Sequence, residues 1–408
     1  MKWPSVFRRG LKRPLDEALD WIAENSVLRN GVDWVTLRQS ALVLAEQTES
    51  PVGAYRAIRF VLERLGDVHG GLLPPAEVGW FQKGTARGMV RGHGLSVIHP
   101  ERVVVHLDAD GPATRSGVLV GDVVEAVNGQ TPVKAGQAPL VDLGQDTGVE
   151  LTLRREHQAQ PMIVTLESDL YTVTETPRGQ RLDANIGYVN VPSALRATAQ
   201  SYVNQAHQII QALDHEVTGG WVVDLRHNLG GDLYMMIAGL GALLGEGEVG
   251  GLVNASGIRR PWVYRNGSAF LGSSRRASTN KPYCLKNPAP NVAILTSRLT
   301  ASAGEAIVMA FRGSFRTRSF GELTAGVPTG LENKKLSDGS LLRLSTTLFS
   351  DRTGYTSISP ILPDQVVAPD WTLLGTERDP VLRSATDWLS NEADLTRDGE
   401  PSHVVRSQ

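Results

Sequence analysis

The chain has 408 residues, with 41 Lys+Arg against 43 Asp+Glu and a formal net charge of -2, so neither sign is in excess for binding nucleic acid or anionic lipid. Its 41% hydrophobic and 21% charged residues are those of an ordinary globular protein of two or three domains. The single cysteine, Cys284, excludes an intrachain disulfide and any thiolate metal cluster, and reads as a shielded, small apolar residue.

The first ten residues are basic but no apolar run follows them. That is no secretory signal, and no later stretch is long enough to span a membrane, so the chain reads as cytoplasmic. Residues 11 to about 69 read as helical: Leu15, Ala18, Leu19 and Ile22 recur at helical spacing, as do Leu37, Ala41 and Leu44, then Ala54, Ile58, Val61 and Leu62. A Gly/Pro-rich connection opens at Gly70. From about 85 to 167, strand-like runs such as Val103 to Leu107 and Val123 to Val127 are joined by Gly111-Pro112-Ala113 and the tight-turn dipeptide Asn128-Gly129. From about 172 to 408, strands alternate with helices. Ala199 to Leu213 precedes the strand Trp221 to Leu225, and Leu233 to Leu244 precedes Val292 to Thr296, which predicts an α/β core.

Four short segments carry chemistry. Thr300-Ala301-Ser302-Ala303-Gly304-Glu305 lies between a strand and a helix. A serine at such a turn can present its hydroxyl to a carbonyl while the first N–H groups of the helix hold an oxyanion. The same residues also fit S-x-x-E, a capping box that merely starts a helix. Asp224-Leu225-Arg226-His227-Asn228-Leu229-Gly230-Gly231 ends a strand in a charged turn and a glycine pair, fit either for close approach to a ligand or for a structural turn. Phe320-Gly321-Glu322-Leu323-Thr324-Ala325-Gly326 is a second strand end opening into a Gly-rich turn. Asp67-Val68-His69 closes the helical stretch, where a histidine can serve as a base or interact with the helix dipole.

In this order the segments resemble the tail-specific, or C-terminal processing, family of serine peptidases, whose pattern runs L-x-D-x-H, a PDZ domain, D-L-R-x-N-x-G-G, T-A-S-A-x-E and G-E-x-T-x-G-K. The resemblance covers nearly the whole chain. It implies a ClpP/crotonase-like α/β protease core over 172–408, an N-terminal helical region over 1–75 and an inserted PDZ-like domain over 85–167. It implies Ser302 as nucleophile, the N–H groups of Gly231 and Ala303 as oxyanion hole, and Gly230 as the residue permitting tight approach. Where the Ser-Lys branch carries its lysine, this chain has Val327, and Lys334 and Lys335 lie in a polar segment that promises no burial. The Ser-His branch, to which the tricorn and nisin-resistance proteases belong, takes its base from the D-x-H motif, here His69. His227 is the competing histidine and reads as a cleft residue. The late glutamate of the tricorn-like branch is missing; either Ser357 or Thr356 stands in its place or a third group is lacking. The PDZ-like segment would take extended peptide at an open strand edge near Gly94 and Leu95. The expected activity is hydrolysis of peptides or unstructured protein segments, without metal or cofactor. The alternative is a pseudoprotease that binds ligand or peptide on the same scaffold.

Overall fold

The computed structural model describes residues 5–47, 51–79, 89–136, 139–144, 147–173, 175–195, 199–314 and 316–397. The outer limits expected for the segments at 1–4, 85–88 and 398–408 lie outside the described residues. Helices α1 (Ser5–Asn25), α2 (Trp34–Glu46) and α3 (Pro51–Leu65) form the N-terminal region. Asp33 starts α2 by accepting the Val35 and Thr36 N–H groups, satisfying two donors that a helix start leaves open. The apolar faces read from the sequence meet: Leu15, Leu19, Ile22, Leu37, Ile58 and Val61 pack together, and Leu342 and Leu344 of the core complete the cluster. From α3 the chain passes through Asp67–Gly70 into β1 (Gly71–Leu73). This strand pairs antiparallel with β19 (Leu341–Ser350), Gly71 opposite Arg343. The helical region thus plugs its C-terminal end, with His69, into a sheet of the core.

A strand β2 (Met89–Gly92) pairs with β8 (Asp169–Thr172) at the neck of the next module. The module is an antiparallel five-stranded sheet: β3 (Leu95–Ile98), β4 (Val103–Leu107), β5 (Val123–Val127), β6 (Val149–Arg154) and β7 (Met162–Leu166) in spatial order, with a short helix α4 (Pro112–Arg115). Val97, Val104, Val124, Leu151 and Leu153 form its own core. Its other face is apolar too. Ile98, Val103, Val105 and Val123 pack on Leu299 and Trp371 of the core, so the module is seated directly on the turn that leads to Ser302.

The core holds two sheets. In the first, β9 (Arg178–Leu182), β10 (Ile186–Asn190), β11 (Trp221–Asp224), β16 (Val292–Thr296), β17 (Thr317–Gly321) and β20 (Gln365–Val366) lie side by side. They run parallel from β10 to β20, with β9 antiparallel at the edge. Every residue of β11 and β16 is buried, as expected of parallel strands covered on both faces. Helices α5 (Ala199–Leu213), α6 (Leu233–Leu244) and α7 (Ala303–Phe311) contribute to the large core on one face, and α8 (Pro380–Arg397) covers the other through Val381, Ala385 and Leu389. The second sheet joins β1 and β19 to β12 (Gly247–Asn254), β13 (Arg259–Arg265), β14 (Ser268–Leu271), β15 (Ser274–Ser278) and β18 (Thr329–Lys335). Leu341 to Ser350 form one continuous strand, β19, which bulges against β18 where Gly330 faces Thr347 and Leu331 faces Ser345. Cys284 is exposed, not shielded.

Candidate active site

Ser302 stands between β16 and α7 with φ 52 and ψ -117, a conformation that an L-residue adopts only where its surroundings impose it. Two neighbouring loops impose it here. The Ser297–Thr300 turn is tied to the end of β11: Thr300 Oγ1 donates to the Leu225 carbonyl at 2.8 Å and Ser297 Oγ to the Arg226 carbonyl at 2.5 Å. Ala301 N–H donates to the Asn228 carbonyl at 2.9 Å. The Arg226 guanidinium is itself buried between Asp224 (2.6 Å) and Asp379 (2.7 Å), which anchors the whole β11 exit.

Glu305 gives the turn its other anchor. The carboxyl is fully buried and accepts four hydrogen bonds: from Ser302 N–H (2.9 Å), Thr324 Oγ1 (2.5 Å), Gly326 N–H (3.0 Å) and Val327 N–H (3.0 Å). Burial pushes it up to about 7 against the pull of those donors. Glu305 therefore does what S-x-x-E suggested, receiving the N-cap N–H, and also staples the G-E-x-T-x-G loop to the serine turn. At the position where a lysine base would sit, Val327 contributes only its backbone N–H.

The glycine pair sits against the serine. A Cβ on Gly230 would lie 2.8 Å from Ser302 Cβ, 3.1 Å from the Ala301 carbonyl oxygen and 3.2 Å from Ala303 N. Gly230 and Gly231 have φ of 104 and 117, open to glycine and strained for other residues. Ala194 N–H donates to the Gly230 carbonyl and Asp232 N–H to the Ala194 carbonyl, while Asn228 Oδ1 receives Gly230 N–H. Among the described residues, the N–H groups of Gly231 and Ala303 have no protein acceptor. Two uncommitted N–H groups, one on the glycine turn and one at the helix start beside the serine, are what an oxyanion hole requires.

His69 stands in the short connection between α3 and β1. Its Nδ1 is 2.8 Å from Thr329 Oγ1, at the start of β18. Thr329 is two residues from Val327, whose N–H shares Glu305 Oε2 with Ser302 N–H. Burial pushes the His69 imidazole down to about 4, with the Arg343 charge adding to the effect and Asp67 opposing it. The ring is therefore neutral at physiological pH. Among the described residues no hydrogen bond joins Ser302 to His69; the ring's hydrogen bond is the one from Nδ1 to Thr329.

The other expected site residues lie elsewhere. His227 stacks on His106 of the module, with ring centroids 4.4 Å apart and planes 8° from parallel. Its Nε2 is buried without a partner, and burial holds the imidazole down to about 3. His227 borders a cavity of about 650 Å³ between the module and the core, which Ser302 does not line. Ser357 Oγ bonds its near neighbour Ser359, so Thr329, not Ser357 or Thr356, holds the histidine. Lys334 is five residues along β18 from Thr329, about 17 Å away, with its amine over the Trp21 ring. His207 is 3% exposed and bonds the Ala238 carbonyl, away from the serine turn.

Gly94 and Leu95 form the entry to β3, but the edge beyond them is not open. His99 N–H donates to the Pro139 carbonyl at 3.0 Å and Val141 N–H to the Val97 carbonyl at 2.8 Å, so the chain's own segment fills the place an added peptide strand would take. Sequence reading expected an open edge because the extended conformation of Pro139–Val141 leaves no periodic signal. Thr329, Ser345 and Asn228 were likewise not singled out. Of these only Asn228, inside D-L-R-x-N, sits in a motif.

Residues 185–367 match the family described as Peptidase family S41. Those residues, the greater part of the core, mark a serine peptidase of the tail-specific, C-terminal processing family. The chain is 26% identical over 374 residues to the chloroplastic carboxyl-terminal-processing peptidase 2 of Arabidopsis thaliana, covering 86% of this chain and 68% of the relative. It is 36% identical over 148 residues to the nisin-resistance protein of Lactococcus lactis subsp. lactis, covering 36% of this chain and 45% of that one. Its fold is similar to that of the photosystem II D1 C-terminal processing protease, with a TM-score of 0.58 at 22% identity, over 93% of this chain and 97% of the other. These similarities favour the peptidase over a non-catalytic binder on the same scaffold. No helix among the described residues is long and apolar enough to cross a membrane.

Proposed function

We propose that this peptidase works through a Ser302–His69 pair and cuts peptides or unstructured protein segments from within. His69 Nε2 takes the Ser302 proton as the hydroxyl attacks the scissile carbonyl. The tetrahedral oxyanion is held by Gly231 and Ala303 N–H. His69 then returns the proton to the leaving amine, and water hydrolyses the acyl-enzyme by the same route. A neutral imidazole needs no prior deprotonation, whereas a lysine base would need a desolvated site.

The observation that carries this reading is the pair of N–H groups without protein acceptors flanking a serine held at positive φ. The Ser-His assignment is supported by Val327 at the lysine position and by the binding of His69 on the loop that reaches the serine turn. Catalytic hydrogen bonds commonly tighten only around a bound substrate, which accommodates the lack of a Ser302–His69 bond among the described residues. The five-stranded module corresponds to the PDZ-like domain over 85–167, followed by the protease core over 172–408. The proposal is tested by hydrolysis of fluorogenic casein: Ser302→Ala should abolish it, and His69→Ala should reduce it about 10²–10⁴-fold with folding intact. Unimpaired turnover in His69→Ala would remove that residue as the base.

A further inference from the structure

The support of the histidine extends beyond its own D-x-H motif. Asp67, Thr329 and Ser345 are 6%, 5% and 0% exposed and lie in one continuous chain of hydrogen bonds ending on the His69 ring. Asp67 Oδ1 receives the Ser345 hydroxyl at 2.7 Å, and Asp67 Oδ2 receives Ser345 N–H at 3.0 Å. Ser345 Oγ is 3.0 Å from Thr329 Oγ1, which is 2.8 Å from His69 Nδ1. A bulge brings the two hydroxyls together. Gly330 faces Thr347 but Leu331 faces Ser345, so Thr346 is the extra residue, and the strand beyond it is re-aimed.

Counting protons fixes the direction of every bond. A carboxylate only accepts, so the single Ser345 hydroxyl proton is committed to Asp67. The Ser345–Thr329 bond must then use the Thr329 proton. Thr329 has none left, so its oxygen accepts from His69, and the proton of the neutral imidazole resides on Nδ1. We infer that Asp67, Ser345 and Thr329 form a hydroxyl relay that holds His69 in the Nδ1–H tautomer, leaving the Nε2 lone pair to act as the base. Thr329 is the positioning residue and does not touch the reacting atoms. Two hydroxyls thereby do the work that a directly bonded carboxylate does in other serine hydrolases. This rests on His69 being the base for Ser302, and the test keeps the two claims apart.

The test compares the full chain with Thr329→Val, which keeps the shape and removes the hydroxyl, and Thr329→Ser, which restores it. Imidazole ¹⁵N shifts at pH 7 should show Nδ1 protonated and Nε2 bare in the native protein and in Thr329→Ser, with loss of that preference in Thr329→Val. The rate of Ser302 acylation by a fluorophosphonate, and kcat on fluorogenic casein, should fall about 10²-fold in Thr329→Val with KM little changed, and should return to within about threefold in Thr329→Ser. A native protein with Nε2 protonated overturns the relay. So does native kcat in Thr329→Val when His69→Ala is crippled. Unimpaired turnover in His69→Ala instead overturns the base assignment beneath it.

Discussion

Gly230→Ala is the sharpest perturbation the geometry offers. The added methyl would lie 2.8 Å from Ser302 Cβ and 3.1–3.2 Å from the Ala301 carbonyl oxygen and Ala303 N. Carbon atoms in contact normally sit about 3.5–4.0 Å apart, so the serine side chain or the glycine turn must yield by about 1 Å. A φ of 104 adds strain of about 1–3 kcal/mol for a non-glycine residue. The loss of stability is then of order 2–3 kcal/mol, enough to lower Tm by several degrees without unfolding the protein at 25 °C. The effect on chemistry is larger, since misplacing a reacting group by about 1 Å costs about 10²-fold. The variant should be assayed by kcat/KM on fluorogenic casein, alongside a calorimetric scan to establish that it is folded. Gly231→Ala is the contrasting control. There the methyl would strike the Ala194 backbone at 2.3–2.5 Å, which cannot rotate away, so the protein should lose far more stability. A Gly230→Ala enzyme within threefold of native activity would show that the glycine turn does not press on the nucleophile.

Further outcomes follow from the buried charges. His69 titrates near 4 when folded and near 6.5 when unfolded, so the unfolded chain binds more protons in that window; stability from this group is present above about 6.5 and lost as pH falls toward 4. The stability difference between native protein and His69→Ala should therefore grow by about 3 kcal/mol from pH 4 to 6.5, measured by urea unfolding; a flat difference would refute the burial of the ring. Glu305 has the opposite sign. Its carboxyl sits near 7 when folded, so stability from this group is lost as pH rises from about 4.5 to 7, and Glu305→Gln should remove that trend while lowering kcat by weakening the carboxylate acceptor of the Ser302 and Val327 N–H groups. Arg298 joins Glu322, at 2.6 Å, to Glu101 and the His99 carbonyl of the module. Arg298→Ala should cost about 1–2 kcal/mol and raise amide exchange at Val103 and Val105, and unchanged exchange there would show that the guanidinium does not hold the module down.

The α/β core could be read from the sequence because β11 and β16 are short apolar runs bounded by helices of clear period. The three N-terminal helices were legible for the same reason. The second sheet was not: β12 to β15 mix Gly, Arg and Ser with apolar residues, since one side of several strands faces solvent, and no run of either period stands out. At the site, Ser302, Gly230 and Gly231 could be named in advance because each lies in a compact motif that the family resemblance covers, and Glu305 because it stands three residues after Ser302 in the same motif. Thr329 could not, since a threonine opening a strand looks like any β-branched strand former. Its use depends on a bulge in β19 and on a carboxylate 262 positions earlier in the chain. Nor could the filling of the β3 edge by Pro139–Val141 be read, being a long-range pairing of a segment without period.

The most direct measurement is peptide mapping after reaction with a fluorophosphonate, run on the native protein, Ser302→Ala and His69→Ala in parallel. The account predicts one adduct per chain, on Ser302, absent from Ser302→Ala and formed about 10²–10⁴-fold more slowly in His69→Ala. An adduct on another residue, or equal labelling rates in native protein and His69→Ala, would contradict it.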